Sequence, residues 1–437
     1  KLANETKTPL VPVSSTGSRQ RGDTVPTVPG AIVVDLSGMK RIISINRQQR
    51  VAIVEPGVTY GELDAALAKE GMEIHMPLAP KAGKSVVASV LDIEPRMSAL
   101  HQWNFIDPLR CTEVIWGDGN RMYTGEAGGG PLDLDKQQGN ERWQQSGTGP
   151  MMLDFYRLLT GSQGSMGIVT WASLKCEAKS PVRSLYFAAA DKADELVDFV
   201  YRVTRLRLGN EMMIVNAATL AALIGESAAQ IAGLMEGLPA WIALVGVSGQ
   251  NILPEQRAKA HALDIADIAQ QFGLQLLSGL PGLSGDRVLS KITAPSGPVY
   301  WKEAYKGSFA ELFFTTTLDR TPEFIAKMSS LAVAAGYNPG DVGVYIQPQN
   351  MGTSYHCEFI LPYDATDAAE AEIAKKLFDE ASVVFSSMGA YYLRPHGPWA
   401  RLQLNKDAQS AIVLQRLKGI FDPNNIMNTG KLGLQGA

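Results

Sequence analysis

The chain has 437 residues, 45% of them hydrophobic and 19% charged, a balance that excludes wholesale disorder and a fibrous repeat and sets a prior of about two or three domains. Its 40 Lys and Arg against 44 Asp and Glu leave a formal charge of −4, so no global basic field points to nucleic acid. The longest apolar run, residues 238–247, is about half of the roughly 20 residues that a membrane-spanning helix needs, so no membrane span is expected.

From Pro9 onward, short β-branched runs at 31–36, 42–45 and 51–55 alternate with the turn residues Gly30, Gly38, Pro56 and Gly57, predicting three strands. A helix follows with legible ends: Thr59 caps it, Glu62 completes a capping box, Leu63 and Leu67 share a face, and Gly71 stops it. Residues 111–116 read as a strand, returning through Tyr123 after the turn 117–120. The glycine-rich stretch 125–149 reads as an exposed loop, 151–160 as helical, and 168–175 as a buried strand. After Ser180-Pro181 the texture changes to strands alternating with long Ala-rich helices as far as about Gly389: strands at 185–189, 241–247, 311–317, 342–347 and 355–361, helices at 192–206, 217–235, 254–272, 322–335 and 365–387. This predicts a second α+β unit with helices against one sheet face. A helix at 408–420 precedes the ending Phe421-Asp422-Pro423-Asn424-Asn425-Ile426-Met427-Asn428-Thr429-Gly430-Lys431-Leu432.

Two small-residue turns permit ligand chemistry. Ser14, Ser15, Thr16, Gly17, Ser18 and Arg19 form a hydroxyl-rich turn beside a sheet region, suited to an anion-binding row of backbone N–H groups or simply to a surface turn. Gly161-Ser162-Gln163-Gly164-Ser165-Met166-Gly167 joins a helix to a strand; its glycines allow close approach to a planar ligand or a tight connection without one. Neither has Walker or nicotinamide-type GxGxxG spacing. On the strand 355–361, alternation puts His356 and Glu358 on one face; a metal would require a third ligand that the local sequence does not supply, so no metal site is expected. Cys111, Cys176 and Cys357 lack any CxxC pattern, arguing against a disulfide framework and for a reducing, cytoplasmic compartment.

Read in order, the segments 12–19, 30–39, 54–63, 113–119, Thr124-Gly125, 147–150, 164–170 and the terminal FDPNNIMNTGKL resemble the FAD-linked oxidases of the vanillyl-alcohol oxidase and p-cresol methylhydroxylase family. The resemblance covers 1–180 and 389–437, and more loosely the middle. It implies an α+β fold: a two-part FAD-binding domain (1–180 and 389–437) interrupted by an α+β cap domain (181–388), with substrate held between them. It assigns Ser14, Ser15, Thr16, Gly17, Ser18 and Arg19 to the FAD diphosphate. Gly161, Gly164, Ser165, Gly167 and Ile168 fall to the flavin or its ribityl chain, and Lys431 to the cofactor's vicinity. Relative to the family, the first strand and helix of the domain are expected upstream of Lys1. Where many relatives carry doubled glycines beside the flavin, residues 81–96 bear larger side chains that would crowd or re-aim the ring. Asn104 and Asp107 compete for the place of an acidic residue near the flavin. No His or Cys matches a covalent flavin link, so noncovalent FAD is expected.

Tyr392, Arg394 and His396 resemble the family segment that meets the substrate cavity, although the tyrosine is one place off the family spacing. Arg394 would bind an anionic group by paired hydrogen bonds, and His396 would take a proton or serve as a structural histidine. His101, with Gln102, Trp103 and Asn104, is a further polar and aromatic cluster that reads either as substrate wall or as core. The resulting expectation is an FAD-dependent dehydrogenase or oxidase taking a hydride from a small anionic substrate, aryl-alkyl or phenolic by preference. The alternatives are a 2-hydroxy-acid dehydrogenase of the same fold and an FAD-carrying electron-transfer or noncatalytic subunit. The electron acceptor is unknown, and either a homodimer or membership of a complex is compatible with the sequence.

Overall fold

The computed structural model describes the chain except residues 18–20, 99, 101, 103, 106, 130–133, 140–143, 150, 152 and 435–437. Helices and strands are mixed as expected of an α+β protein. Strand Leu10–Val13 pairs in parallel with Ile32–Asp35, and its last residue delivers the chain into the turn at Ser14. A five-stranded antiparallel sheet runs in the order Ile42–Asn46, Val51–Val54, Gly167–Lys175, Leu109–Trp116, Arg121–Tyr123. The helix Tyr60–Lys69 has the full capping box: Thr59 Oγ1 accepts from the Glu62 N–H and Glu62 accepts from the Thr59 N–H. Its Leu63 and Leu67 bury with Val54 and Val87 in one core.

The middle of the chain builds a seven-stranded antiparallel sheet in the order Leu276–Leu277, Val182–Ala190, Trp241–Gly249, Met212–Asn216, Gly343–Gln349, Ser354–Tyr363, Ser308–Thr316. Four long helices, Val197–Arg205, Pro254–Gln271, Thr321–Ala335 and Ala368–Ser387, cover one face through Phe199, Ile265, Phe324 and Phe385. The second face is not bare, contrary to the one-sided layer expected from the sequence. Leu185, Phe187, Leu244 and Ile360 there meet the helices Ala217–Ile224, Ala228–Gly237 and Gly285–Ile292 and also Leu78 and Met97 from the N-terminal part. This second layer explains why Gly343–Gln349 is buried along its whole length: a sheet covered on both faces has no solvent side to alternate toward.

Other departures are local. The single helix expected over 217–235 breaks at Gly225, where Ser227 caps the second piece. Among the described residues of 151–160 the helical structure is the 3-10 turn Phe155–Leu158, and the loop 125–149 contains the 3-10 turn Gly125–Gly129 and the helix Leu134–Gly139. The strand Met212–Asn216 and the helix Gly285–Ile292 were not foreseen. Among the described residues no helix is long and apolar enough to cross a membrane.

Candidate active site

The Gly164 turn packs against the strand that leads into the Ser14 turn. A side chain on Gly164 would place its Cβ 2.6 Å from Cγ of Pro12, and Gly164 has φ +71°, so both space and backbone conformation call for glycine there. The Ser14 turn is fixed from the opposite side: the Thr16 N–H donates to the Gly83 carbonyl at 3.1 Å and the Ser85 N–H donates to Ser15 Oγ at 3.1 Å. Gly83 likewise has no room for a Cβ, with Thr16 Oγ1 at 2.6 Å. Ser14, Ser15, Thr16, Gly164 and Gly167 all line one cavity of about 240 Å³.

Other expected cofactor residues stand further back. Gly161, φ +70°, donates its N–H to the Leu91 carbonyl at 2.7 Å and shapes the turn. Ser165 is buried and offers its carbonyl to Lys418. Gly17, φ +92°, continues the first turn. Ile168 sits in the sheet opposite Ile115, away from the cavity lining. Lys431 spends its ammonium on the Gly22 carbonyl at 2.6 Å. Ser18, Arg19 and His101 lie outside the described residues.

The rest of the cavity is lined by ionised groups from both parts of the chain. Arg21 donates through Nη1 to Asp92 at 2.7 Å and Glu94 at 2.5 Å, and through Nε to Glu311 at 2.6 Å. Lys302 donates to Glu311 at 2.6 Å and also to Glu358, whose other oxygen accepts from His356 Nε2 at 2.9 Å. The alternation argument that paired His356 with Glu358 therefore holds in the folded chain. Burial pushes each of these carboxyl pKa values up, but the cations win: His396, Arg21 and Arg394 hold Asp92 below its ordinary value, Lys84, Arg21 and Arg394 hold Glu94 well below, and Arg21 and Lys302 do the same for Glu311. Lys302 is raised despite burial by Glu311 and Glu358, while burial lowers His356 and keeps it neutral at pH 7.

Arg394 differs from its neighbours. It is 4% exposed, lies 3.8 Å above the Phe313 ring, and approaches Asp92 only to 3.5 Å. Its Nη1 has no hydrogen-bond partner, and burial together with the Arg21 charge lowers its pKa. Nη1 is itself fully buried and turned to Asp92, so it is the guanidinium as a whole that lines the cavity; a desolvated guanidinium short of hydrogen bonds is costly unless an anion joins it. His396 does not line the cavity; its Nε2 is 2.9 Å from Asp92 Oδ1. Tyr392 does not line the cavity: it stacks on Trp399 with ring centroids 4.9 Å apart and donates its hydroxyl to the Ser382 carbonyl at 2.7 Å, so its polar atom lies in the core between the seven-stranded sheet and its helices. Asp107 is engaged locally by Arg110 at 2.7 Å and by the Asn104 N–H at 3.1 Å, and neither Asp107 nor Asn104 lines the cavity.

Sequence reasoning missed Arg21, Lys302 and Glu311. Only Lys302 carried a local signal, a lone cation beside Tyr300 and Trp301. Asp92 and Glu94 fall in the divergent segment 81–96, and both project into the cavity as expected of larger side chains in that place.

The FAD-binding-domain family matches residues 1–91. Over 99% of the chain, the sequence is 23% identical to the flavoprotein subunit of 4-cresol dehydrogenase [hydroxylating] from Pseudomonas putida, 85% of which is covered. By fold it is similar to p-cresol methylhydroxylase with substrate bound, with a TM-score of 0.82 at 19% identity, covering 99% of this chain and 86% of that one. Residues 1–91 carry an FAD-binding domain, and the chain has the fold of p-cresol methylhydroxylase. Glycolate oxidase subunit GlcD from Bacillus subtilis is 22% identical to this flavoprotein over 99% of the chain and 85% of the relative. The class expected from the sequence, an FAD-dependent oxidoreductase, is thus met by the matched domain and by these relatives. The residues fit the cofactor: two turns rich in small residues, three hydroxyl side chains, and the cations Lys84 and Arg21 line the same cavity.

Proposed function

We propose that the flavoprotein oxidises a small anionic organic substrate held between its FAD-binding part (1–180 and 389–437) and a cap formed by 181–388. The observation that carries this reading is Arg394: a buried guanidinium whose Nη1 makes no hydrogen bond and pairs with Asp92 only at 3.5 Å, lining the same cavity as Ser14, Ser15, Thr16 and Gly164. When bound, FAD supplies a two-electron acceptor for the hydride. Arg394 holds the anionic group of the substrate, and Tyr300, Trp301 and Tyr345 give the cavity an aromatic wall that favours an aryl-alkyl or phenolic compound. Asp92 holds the Nε2 hydrogen of His396, so a proton exchanged between cavity and imidazole passes through that carboxylate. Ser14, Ser15, Thr16, Gly17, Gly164 and Gly167 hold the cofactor, with Gly161 and Ser165 shaping the second turn.

No Cys or His lines the cavity among the described residues, which supports noncovalent FAD. Acid precipitation is expected to leave the yellow cofactor in the supernatant, and colour kept in the pellet would overturn this. The three cysteines are buried and unpaired, in keeping with a reducing cytoplasmic compartment.

A second reading, oxidation of a 2-hydroxy acid, is favoured by the 26% identity of 49% of the chain to a mitochondrial D-lactate dehydrogenase [cytochrome] from Arabidopsis thaliana, since a carboxylate suits Arg394 equally well. Anaerobic mixing of the FAD-loaded protein with 4-alkylphenols, hydroxybenzyl alcohols and 2-hydroxy acids separates the two by which class bleaches the visible flavin band. Bleaching by none of them, with FAD bound, favours a noncatalytic or electron-carrying subunit.

A further inference from the structure

The walls of the cavity on its FAD side are joined by the segment 426–428, and one buried amide makes the joint. Asn428, 1% exposed, donates from Nδ2 to the carbonyl of Asp23 at 2.8 Å and to the carbonyl of Gln163 at 2.6 Å. Asp23 and Gln163 both line the cavity, whereas Asn428 does not. The first lies beyond the turn that begins at Ser14; the second stands next to Gly164. Both amide hydrogens are spent on carbonyl oxygens, and the flipped orientation would set oxygen against oxygen, so the surroundings fix which atom is nitrogen.

The segment 426–428 is itself held on two sides. The Leu10 N–H donates to the Ile426 carbonyl at 2.7 Å and the Asn428 N–H donates to the Leu10 carbonyl at 2.8 Å, which binds the segment to the strand that leads into Ser14. Behind it, Lys418 donates to the carbonyls of Ser165 at 2.7 Å and Met427 at 3.1 Å and to Asp422 at 2.7 Å. Asp422 in turn accepts the N–H groups of Ile426 at 3.0 Å and Met427 at 2.9 Å. Lys418 and Asp422 are both fully buried, so water does not compete for these bonds. None of the Asn428 side-chain bonds belongs to a helix or a strand ladder. What they determine is the separation of two loops that approach the cavity from distant parts of the chain.

We propose that Asn428 is a positioning residue for FAD, fixing the Ser14 and Gly164 turns at cofactor-binding separation before the ligand arrives. A cleft with fixed walls binds without the cost of ordering them, so loss of the joint weakens affinity even though no contact to the ligand is removed. The inference rests on FAD as the ligand and is independent of which substrate is oxidised.

The test uses the full-length apoprotein titrated with FAD, followed by quenching of flavin fluorescence, with the melting temperature of each apoprotein measured in parallel. Asn428→Ala is expected to raise the FAD Kd about tenfold or more, as the loss of two buried hydrogen bonds implies. Asn428→Asp, nearly isosteric, is expected to raise it further, because a carboxylate would face two carbonyl oxygens. Asn428→Ser, a milder change that keeps one hydroxyl donor, should fall between wild type and alanine and serves if the other variants do not fold. The control is Tyr337→Phe, which removes a hydroxyl donated to the Pro362 carbonyl in the distant cap and is expected to lower stability with the FAD Kd unchanged. An FAD Kd within twofold of wild type in the folded Asn428 variants would overturn the proposal, as would a rise matched by Tyr337→Phe. Failure of the wild-type apoprotein to bind FAD would overturn the FAD assignment and this inference together, whereas wild-type binding with unaffected variants overturns this inference alone.

Discussion

Nε of Arg21 lies 2.6 Å from Oε1 of Glu311, although 290 residues separate the two in sequence. The contact joins the loop beyond the Ser14 turn to the strand Ser308–Thr316, and it places a cation among three carboxylates, the buried Glu94 and the half-buried Asp92 and Glu311. Removing one partner of such a cluster leaves uncompensated charge, which ordinarily costs about 3–5 kcal/mol. Arg21→Met is therefore expected to destabilise the protein by about 3 kcal/mol at pH 7. Without the guanidinium the three carboxyl pKa values rise, so the difference from wild type should shrink as pH falls and they protonate. Denaturant melts of both proteins at pH 7 and pH 4.5 check this; a difference that does not depend on pH contradicts it.

The wild-type protein has its own acid limit. Asp92, Glu94, Glu311 and Glu358 all have folded-state pKa values below their ordinary ones, held there against burial by His396, Lys84, Arg21 and Lys302. A depressed carboxyl pKa stabilises the fold above the unfolded value of about 4 and is lost as pH drops through the folded one. His356, also lowered, binds its proton more readily once unfolded and adds to the same trend from about pH 6.5 downward. Unfolding free energy from urea titrations is expected to fall steadily from pH 7 to pH 3.5, with the steeper part below about pH 4.5.

Arg394 separates charge from geometry. A charge-assisted hydrogen bond is worth roughly 1.5–3 kcal/mol, so Arg394→Ala is expected to lower kcat/KM for an anionic substrate by about ten- to hundredfold with FAD content retained. Arg394→Lys keeps the charge and loses the planar fork, and should fall between the two. Steady-state kinetics with a thermal melt decides the matter: unchanged kcat/KM and a lowered melting temperature would make Arg394 structural.

Tyr392 supplies the complementary case. Because its hydroxyl is donated to the Ser382 carbonyl in the core beneath the seven-stranded sheet, Tyr392→Phe is expected to cost about 1 kcal/mol of stability and to leave kcat/KM within twofold. A larger kinetic loss at unchanged stability would return the tyrosine to the substrate site.

Gly164 tests the contact between its turn and the strand that leads into the Ser14 turn. Gly164→Val would drive a branched side chain into Pro12 at a φ of +71°, so FAD content on purification is expected to fall by about tenfold or more. Normal flavin content in that variant would remove the turn from the cofactor site.

Much of this protein was legible in its sequence because the signals concerned are short-range. The capping box at Thr59 and Glu62, the strand at 168–175, the alternation that pairs His356 with Glu358 and the two glycine turns each depend on residues within a few positions of one another, where backbone geometry alone decides what faces what. Tertiary structure decided the rest. Arg21, Glu311 and Lys302 become one charged wall only when a loop, a strand and a 3-10 turn from distant parts of the chain converge. Tyr392 stands two places from Arg394 in sequence, yet stacking on Trp399 turns it into the core beneath the seven-stranded sheet. The second buried face of the seven-stranded sheet was likewise invisible, since the residues that cover it come from other parts of the chain. Periodicity records which way a side chain points along its own element; the charge or ring that it meets is chosen by how the elements pack.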